Sequence, residues 1–229
     1  MNKFKGGCFL NTINTILFDL DGTLLDTLED LADSMNYALK FLRYPELSID
    51  QVRRFVGNGV GRLVELSLPD GKSNPDYETC LNLFRDHYNK NMKNKTKPYE
   101  GITELLEKLY GKYRMAIVSN KFDKAVKDLA KTYFHPFITV AIGESEAIKK
   151  KPAPDMVQKA LEELGAKKEE AVYVGDSEVD VKTSSNAGLR FIGVSWGFRE
   201  PKILRDLGAV TVIDKPEELL RLIEKFENI

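Results

Sequence analysis

The sequence predicts a doubly wound α/β protein, in which a Rossmann-like parallel sheet carries an inserted four-helix domain. Three observations support this fold class. Short, continuously apolar segments rich in β-branched residues recur along the chain. Segments with helical spacing of apolar residues lie between most of them, which is typical of a parallel sheet covered on both faces. One long interval near the start breaks this alternation and contains helical patterns instead.

Six apolar segments are predicted to be strands of the sheet, because each has strand length and lacks a polar face. They cover residues 16–18, 115–118, 140–142, 172–174, 191–194 and 210–213. The intervening helices are indicated by apolar residues three and four positions apart, as at Ile102, Leu105 and Leu109.

The interval from residue 26 to residue 97 is predicted to be a separate helical cap. Four helical patterns cover residues 28–42, 49–56, 60–68 and 77–92, with breaks at Pro45, at residues 57–59 and at residues 69–75. A block of this size can form a small bundle of its own. We therefore predict a catalytic core of residues 1–25 and 98–229, and a helical cap of residues 26–97.

The composition indicates a soluble globular protein that binds neither nucleic acid nor membrane. Hydrophobic residues make up 42% of the chain, and 34 basic residues nearly balance 35 acidic ones, so no excess of positive charge is available for a polyanion. No segment approaches the roughly 20 apolar residues needed to cross a bilayer. Cys8 and Cys80 are far apart and are expected to be thiols in a reducing compartment, which predicts a cytoplasmic location.

Polar side chains follow several of the predicted strands at the point where each strand ends. Ligands of open α/β sheets bind beyond the carboxyl ends of the strands, so these side chains are expected to meet at one site. The candidate site residues are Asp19, Asp21, Ser119, Asn120, Lys151, Asp176 and Asp180.

The carboxylates of this set favour a metal site. Asp19 and Asp21 would repel each other unless a cation or proton lay between them, and Asp176 and Asp180 share one face of a helix start. A structural alternative is that these aspartates only form a turn or cap a helix. Together they supply the hard oxygen ligands that Mg²⁺ prefers, while the Ser119 hydroxyl could bind a phosphate.

The same segments resemble the four motifs of the haloacid dehalogenase superfamily of phosphohydrolases. The motifs stand here as DLDGTLLDT at residues 19–27, SNK at residues 119–121, KPAP at residues 151–154, and GD at residues 175–176 followed by Asp180. The resemblance covers the whole chain, and all four motifs occur in order. The helical block occupies the place of the mobile cap in the family's first subclass.

This resemblance implies a role for each motif residue. Asp19 is implied to attack phosphorus and form an aspartyl phosphate. Asp21 is implied to be the general acid for the leaving alcohol and then the general base for water. The implied phosphate-binding residues are Ser119, Asn120 and Lys151. The implied Mg²⁺ ligands are Asp19, the main-chain carbonyl of Asp21, Asp176, and Asp180 either directly or through water.

The substrate is suggested by the cap, which resembles that of phosphoglycolate phosphatases at residues 57–63, 97–101 and, in the core, 195–197. The glycines of residues 57–61 would form a flexible loop over a small ligand, although they could also serve only to separate two helices. Arg62 in this loop is the predicted contact for a small anionic metabolite such as 2-phosphoglycolate.

Several alternatives remain open at this stage. A phosphomutase such as β-phosphoglucomutase, a pyrophosphatase and a sugar phosphatase share the motifs and the cap, and a non-catalytic interaction protein could use the same fold. Dehalogenating members lack an acid at the position of Asp21, which favours phosphoryl transfer here. A signalling receiver domain fits less well, because it is shorter and has no helical cap. The sequence does not determine the oligomeric state.

Overall fold

The computed structural model describes residues 12–226, so Cys8 and the start of the predicted core lie outside the described residues. The strands are β1 Thr15–Phe18, β2 Leu25–Asp26, β3 Lys97–Pro98, β4 Arg114–Phe122, β5 Val140–Glu144, β6 Ala171–Gly175, β7 Arg190–Val194 and β8 Val212–Ile213. The helices are α1 Leu28–Phe41, α2 Ile49–Phe55, α3 Val60–Ser67, α4 Tyr77–Asn91, α5 Ile102–Leu109, α6 Asp123–Phe134, α7 Asp155–Leu164, α8 Glu178–Ala187, α9 Pro201–Asp206 and α10 Glu218–Phe226.

The main sheet has six strands in the order β5-β4-β1-β6-β7-β8, and every pairing in it is parallel. All residues of β1 and β6 are buried, as their continuously apolar sequences predict. Because β1 lies between β4 and β6, the carboxyl ends of these three strands are neighbours. The predicted fold class is confirmed.

Strand β4 is longer than its apolar segment predicts. We expected it to end at Val118, but pairing with β5 resumes at Phe122 after a shift in register. Ser119, Asn120 and Lys121 therefore belong to the strand, and all three are buried. The sequence pattern missed this extension because buried polar side chains break an apolar run, although each finds a partner inside the protein.

The four helices predicted for residues 26–97 are present as α1 to α4, with an additional 3₁₀ turn at Gly71–Ser73. Helix α2 begins at a capping box, in which the Ser48 hydroxyl accepts from the Gln51 N–H and the Gln51 side chain accepts from the Ser48 N–H. Cys80 on α4 is a free, buried thiol. Within residues 12–226, no helix combines the length and apolarity needed to span a bilayer.

A two-stranded antiparallel ribbon lies where the chain enters and leaves the helical block. Leu25 of β2 pairs with Pro98 of β3, and Asp26 pairs with Lys97. The sequence analysis missed this ribbon, because two-residue strands have no detectable periodicity. It brings the two ends of the helical block together, although the division of the chain into core and cap at residues 26 and 97 stays a prediction.

Candidate active site

Asp19 is the first residue after β1, and its backbone N–H donates to the Val174 carbonyl at 2.9 Å. Its Oδ1 atom accepts from the Leu20 N–H at 2.7 Å and lies 2.8 Å from the Lys151 Nζ. Burial, followed by the nearby Asp180 charge, raises the pKa of Asp19 to about 7, although Lys151 partly opposes both effects. This carboxylate therefore carries an unfavourable charge unless a cation joins it.

Lys151 lies in the loop after β5 and is almost fully buried. Its Nζ donates to Asp180 Oδ1 at 2.8 Å and to the Tyr173 hydroxyl at 3.0 Å. Burial alone would lower the pKa of Lys151, but the Asp180 and Asp19 carboxylates raise it well above its ordinary value. Lys151 is thus a fixed cation placed against Asp19.

Both carboxylate oxygens of Asp180 already have partners in the protein. While Oδ1 accepts from Lys151, Oδ2 accepts from the Ser177 N–H at 3.1 Å and from the Ser177 hydroxyl at 2.6 Å. The latter bonds belong to a capping box at the start of α8. Asp180 therefore positions Lys151 and fixes the helix that follows Asp176.

Asp176 follows β6 and is held by two hydrogen bonds. Its Oδ1 accepts from the Thr23 hydroxyl at 3.2 Å, and its Oδ2 accepts from the Phe198 N–H at 2.7 Å. Two glycines leave room for this carboxylate: a Cβ at Gly22 would lie 2.4 Å from Asp176 Oδ2, and one at Gly197 would lie 2.2 Å from Asp176 Cβ. Burial, followed by the charges of neighbouring aspartates, raises the pKa of Asp176 well above its ordinary value.

These three aspartates fit a metal ion. One carboxylate oxygen from each of Asp19, Asp176 and Asp180 lies within 4.8 Å of the others, and all three residues are buried. Hard carboxylate oxygens are the ligands that Mg²⁺ prefers, and a divalent cation would offset the burial and the mutual repulsion that raise the pKa values of Asp19 and Asp176. The donor set and its charge therefore suit Mg²⁺.

The side chain of Asp21 faces a different cation. Its Oδ1 and Oδ2 lie 2.9 and 2.8 Å from the Lys121 Nζ, and Oδ1 also accepts from the Thr27 hydroxyl at 2.7 Å. The Lys121 Nζ lies 4.7 Å from the centre of the Tyr88 ring on α4, in cation–π geometry. Burial lowers the pKa of Lys121, but Asp21 offsets this and leaves the pKa raised.

Lys121 belongs to the second motif, but the sequence indicated no partner for it. Its position two residues after the strand-end Ser119 does not show which carboxylate it contacts, since Asp21 lies 100 positions away in the chain.

Ser119 and Asn120 both line the central cavity, together with Asp19, Asp21 and Asp176. The Asn120 Nδ2 donates to the Lys151 carbonyl at 3.0 Å and to the Gly57 carbonyl in the cap at 3.3 Å. Its Oδ1 is buried without a hydrogen-bond partner among the described residues. Asn120 therefore connects the Lys151 loop to the cap through its amide nitrogen.

The cavity lies between the strand ends and the cap, and encloses about 630 Å³ of empty space including its open mouth. Its cap side presents apolar and aromatic side chains. They are Leu31, Val56, Val60, Leu63, Phe84 and Tyr88.

The structure does not bring Arg62 into this cavity. Arg62 forms an ion pair with Glu65 at 2.9 Å, and about half of its side chain is exposed. A different arginine, Arg199 of the core, lines the cavity instead. Sequence reasoning chose Arg62 because it lies in the glycine-rich cap loop, but its helical position points its side chain to Glu65, three residues further along α3.

Arg199 joins the core to the cap. Its Nε donates to Glu178 Oε2 at 2.9 Å, its Nη1 donates to the Arg53 carbonyl at 2.7 Å, and its Nη2 donates to the Val56 carbonyl at 2.6 Å. Because these carbonyls end α2, the arginine caps that helix from the core side. The sequence contains no evident signal for this contact.

A parallel sheet with a covered acidic site at its strand ends, a fixed lysine and a helical cap places this protein in the α/β class, with its site where such sheets bind ligands. Residues 16–194 match the family described as haloacid dehalogenase-like hydrolase. The chain belongs to this family, which confirms the prediction made from its motifs.

Two relatives and one solved structure are similar to this chain over nearly its whole length. The chain is 34% identical over 214 residues to a phosphoglycolate phosphatase from Aquifex aeolicus, covering 93% of this chain and 97% of that one. It is 30% identical over 219 residues to pyrophosphatase PpaX from Listeria welshimeri, covering 94% and 98%. A haloacid dehalogenase-like hydrolase structure from Streptococcus pneumoniae has a TM-score of 0.83 at 26% identity, covering 92% and 98%. The predicted enzyme class, a hydrolase similar to phosphoglycolate phosphatases, is confirmed.

Proposed function

We propose that this protein is a Mg²⁺-dependent phosphatase that hydrolyses a small phosphate monoester through an aspartyl phosphate on Asp19. The observation that carries the proposal is the convergence of Lys151, from the loop after β5, with Asp19 and Asp176 at the ends of the neighbouring strands β1 and β6. A buried nucleophile beside a fixed cation and a metal-type carboxylate is the arrangement that phosphoryl transfer requires.

The reaction has two steps at Asp19. In the first, a carboxylate oxygen of Asp19 bonds to phosphorus while the ester P–O bond breaks, and Asp21 gives a proton to the leaving alcohol oxygen. In the second, Asp21 takes a proton from water, which attacks phosphorus and releases Asp19 and inorganic phosphate. Lys151 and the Ser119 hydroxyl hold the phosphoryl oxygens. Bound Mg²⁺, held by Asp19, Asp176 and the main-chain carbonyl of Asp21, would offset the charge of the phosphoryl group.

The contacts of Asp180 and Lys121 suggest positioning roles for both. Because the two oxygens of Asp180 are bonded to Lys151 and Ser177, Asp180 supports the site through these residues and would meet Mg²⁺ most readily through water. Lys121 orients the Asp21 carboxylate, which must gain and lose a proton in each cycle.

The relatives name 2-phosphoglycolate and pyrophosphate as the first substrates to test. The predicted contact of Arg62 with the substrate gains no support from its pairing with Glu65. The mutase alternative is also less well supported, since a mutase must hold a sugar and the described cap side of the cavity is mainly apolar.

The test is a phosphate-release assay on 2-phosphoglycolate, pyrophosphate and hexose phosphates, with isomer analysis of β-glucose 1-phosphate. We expect release that disappears with excess chelator and returns with added Mg²⁺. Calcium should inhibit, because its larger and looser ligand shell distorts the in-line geometry. Full activity in chelator would contradict the metal requirement, and isomerisation faster than release would favour the mutase.

A further inference from the structure

The cavity has two chemically different ends. Its core end carries Asp19, Asp21, Asp176 and the Ser119 hydroxyl, where the phosphate of a substrate would bind under the proposed function. Its cap end is formed by the six side chains named above, and Phe122 and Phe198 add two aromatic rings from the core. A phosphate ester bound with its phosphorus at Asp19 would therefore direct its alcohol portion toward an apolar surface.

The basic residues that line the cavity are already paired. Lys121 lies against both oxygens of Asp21. The guanidinium of Arg199 donates from Nε, Nη1 and Nη2 to Glu178 and to carbonyls at the end of α2. A second anionic group on the substrate would have to displace one of these contacts or lose its hydration without replacement, which is costly.

The buried acceptor of Asn120 also disfavours a second anion. The Asn120 Nδ2 donates to two carbonyls, which fixes the orientation of the amide and leaves Oδ1 as the free acceptor. This oxygen would repel a carboxylate, whereas it could accept a hydrogen bond from a neutral hydroxyl. Two buried polar atoms of cavity-lining residues thus lack a partner among the described residues: the Asn120 oxygen, which selects against negative charge, and the Tyr88 hydroxyl, which can donate to a neutral or a charged oxygen.

We infer that the preferred substrate is a phosphate monoester of an apolar alcohol, with an alkyl or aryl group against the cap, and not a doubly anionic ester. This inference rests on the proposed function and adds the substrate class to it. The competing arrangement places a substrate carboxylate at the N-terminus of α3, which begins at Val60, after the N-cap Gly59, beside the same cavity.

The first experiment compares kcat/KM for isobutyl phosphate and 2-phosphoglycolate, because the isobutyl group and the carboxymethyl group have nearly the same shape and differ in charge. We expect isobutyl phosphate to be preferred at least about tenfold. In the series ethyl, propyl and butyl phosphate, kcat/KM should rise about fourfold for each added methylene, the value expected for burying one CH₂. A preference for 2-phosphoglycolate, or a flat series, would overturn the inference.

The second experiment places a cation on the cap wall. Val60 is the first residue of α3 and lines the cavity, so Val60→Lys should shift the preference toward 2-phosphoglycolate by at least about tenfold. Ile49→Lys is the matched control, because Ile49 is the exposed first residue of α2 and does not line the cavity. An unchanged ratio in folded Val60→Lys protein would contradict the inference.

The experiments distinguish failure of the inferred substrate class from failure of the proposed function. If Val60→Lys does not fold, the isobutyl comparison on the unaltered protein still decides the substrate class. If 2-phosphoglycolate proves the better substrate but hydrolysis still requires Asp19 and Mg²⁺, the proposed function stands and the substrate class is wrong. If none of the esters releases phosphate in the presence of Mg²⁺, the proposed function itself fails.

Discussion

The core and cap sides of the cavity differ in the interactions that hold their residues in place. On the core side, charged residues pair across strand ends that are distant in the chain, as Asp19 with Lys151 and Asp21 with Lys121. On the cap side, the residues lining the cavity are mainly apolar and belong to the same cluster as the cap's own core, as Leu63 and Phe84 show. Under the proposed function, the core would provide the chemistry and the cap would decide which alcohol accompanies the phosphate.

Three core side chains contact backbone carbonyls at the end of α2 and in the loop that follows it. Arg199 reaches the end of α2, Asn120 reaches Gly57, and the Lys150 Nζ lies 3.2 Å from the Asn58 carbonyl. A contact to a carbonyl does not depend on the cap side chain at that position. These three contacts can therefore be kept when the cap side chains at those positions change, whereas the contact of Lys121 with the Tyr88 ring cannot.

The largest expected effect tests the core side. Asp19→Asn keeps the shape of the side chain but removes the attacking carboxylate, so turnover should fall at least about a thousandfold while the fold is retained. The matched control is Asp206→Asn, which changes an exposed aspartate paired with Lys202. Steady-state phosphate release with circular dichroism makes the measurement, and near-normal turnover of Asp19→Asn would rule out the covalent mechanism.

A smaller effect tests the connection between the sides. Arg199→Ala removes the donors to the Arg53 and Val56 carbonyls, which should loosen the apolar wall and lower kcat/KM about tenfold, mainly through KM. Arg199→Lys should have nearly as low a kcat/KM as Arg199→Ala, because a lysine cannot present the planar fork of donors.

The control for this prediction is Arg205→Ala, which removes an exposed arginine from α9. Kinetics on one small ester, with kcat and KM determined separately, make the measurement. If Arg199→Ala stays within about twofold of the unaltered protein, the two sides are held together by other contacts.

The smallest expected effect concerns charge repulsion on the core side. The pKa of Asp19 in the folded protein is raised to about 7, so without metal this carboxyl destabilises the fold progressively as pH rises from about 4 to about 7. Mg²⁺ binds the ionised carboxylate, so at about 100 times its Kd it should raise the Tm by about 5 °C at pH 8 and by less at pH 5.5.

Differential scanning calorimetry at both pH values checks this expectation without any assay of activity. Asp176→Asn should reduce the effect of Mg²⁺ on the Tm, since it removes one of the expected ligands, whereas Asp206→Asn should leave it unchanged. An equal shift of the Tm at pH 5.5 and pH 8 would show that Mg²⁺ does not compete with protons at these carboxylates.

Local pattern was sufficient to predict the sheet, the inserted helices and the placement of the acidic residues at the strand ends. Buried parallel strands need continuous apolar runs, and a parallel sheet brings its carboxyl ends to one edge. The pattern therefore predicted that Asp19 and Asp176 share this edge, and the pairing of β1 with β6 makes them neighbours there. The motif resemblance then indicated a role for Lys151, which composition alone would have left among the solvated lysines of residues 149–151.

Tertiary structure alone decided how the charged residues pair and which side chains face the cavity. The partner of Lys121 and the bridge made by Arg199 each depend on contacts between separate elements, and the position of Arg62 outside the cavity depends on how α3 lies against the core. Sequence spacing specifies neighbours within one helix or strand, but it carries no information about the separation of groups 100 or more residues apart. Those separations are set by the packing of the cap against the strand ends. The same packing places the apolar side chains of the cap along the cavity.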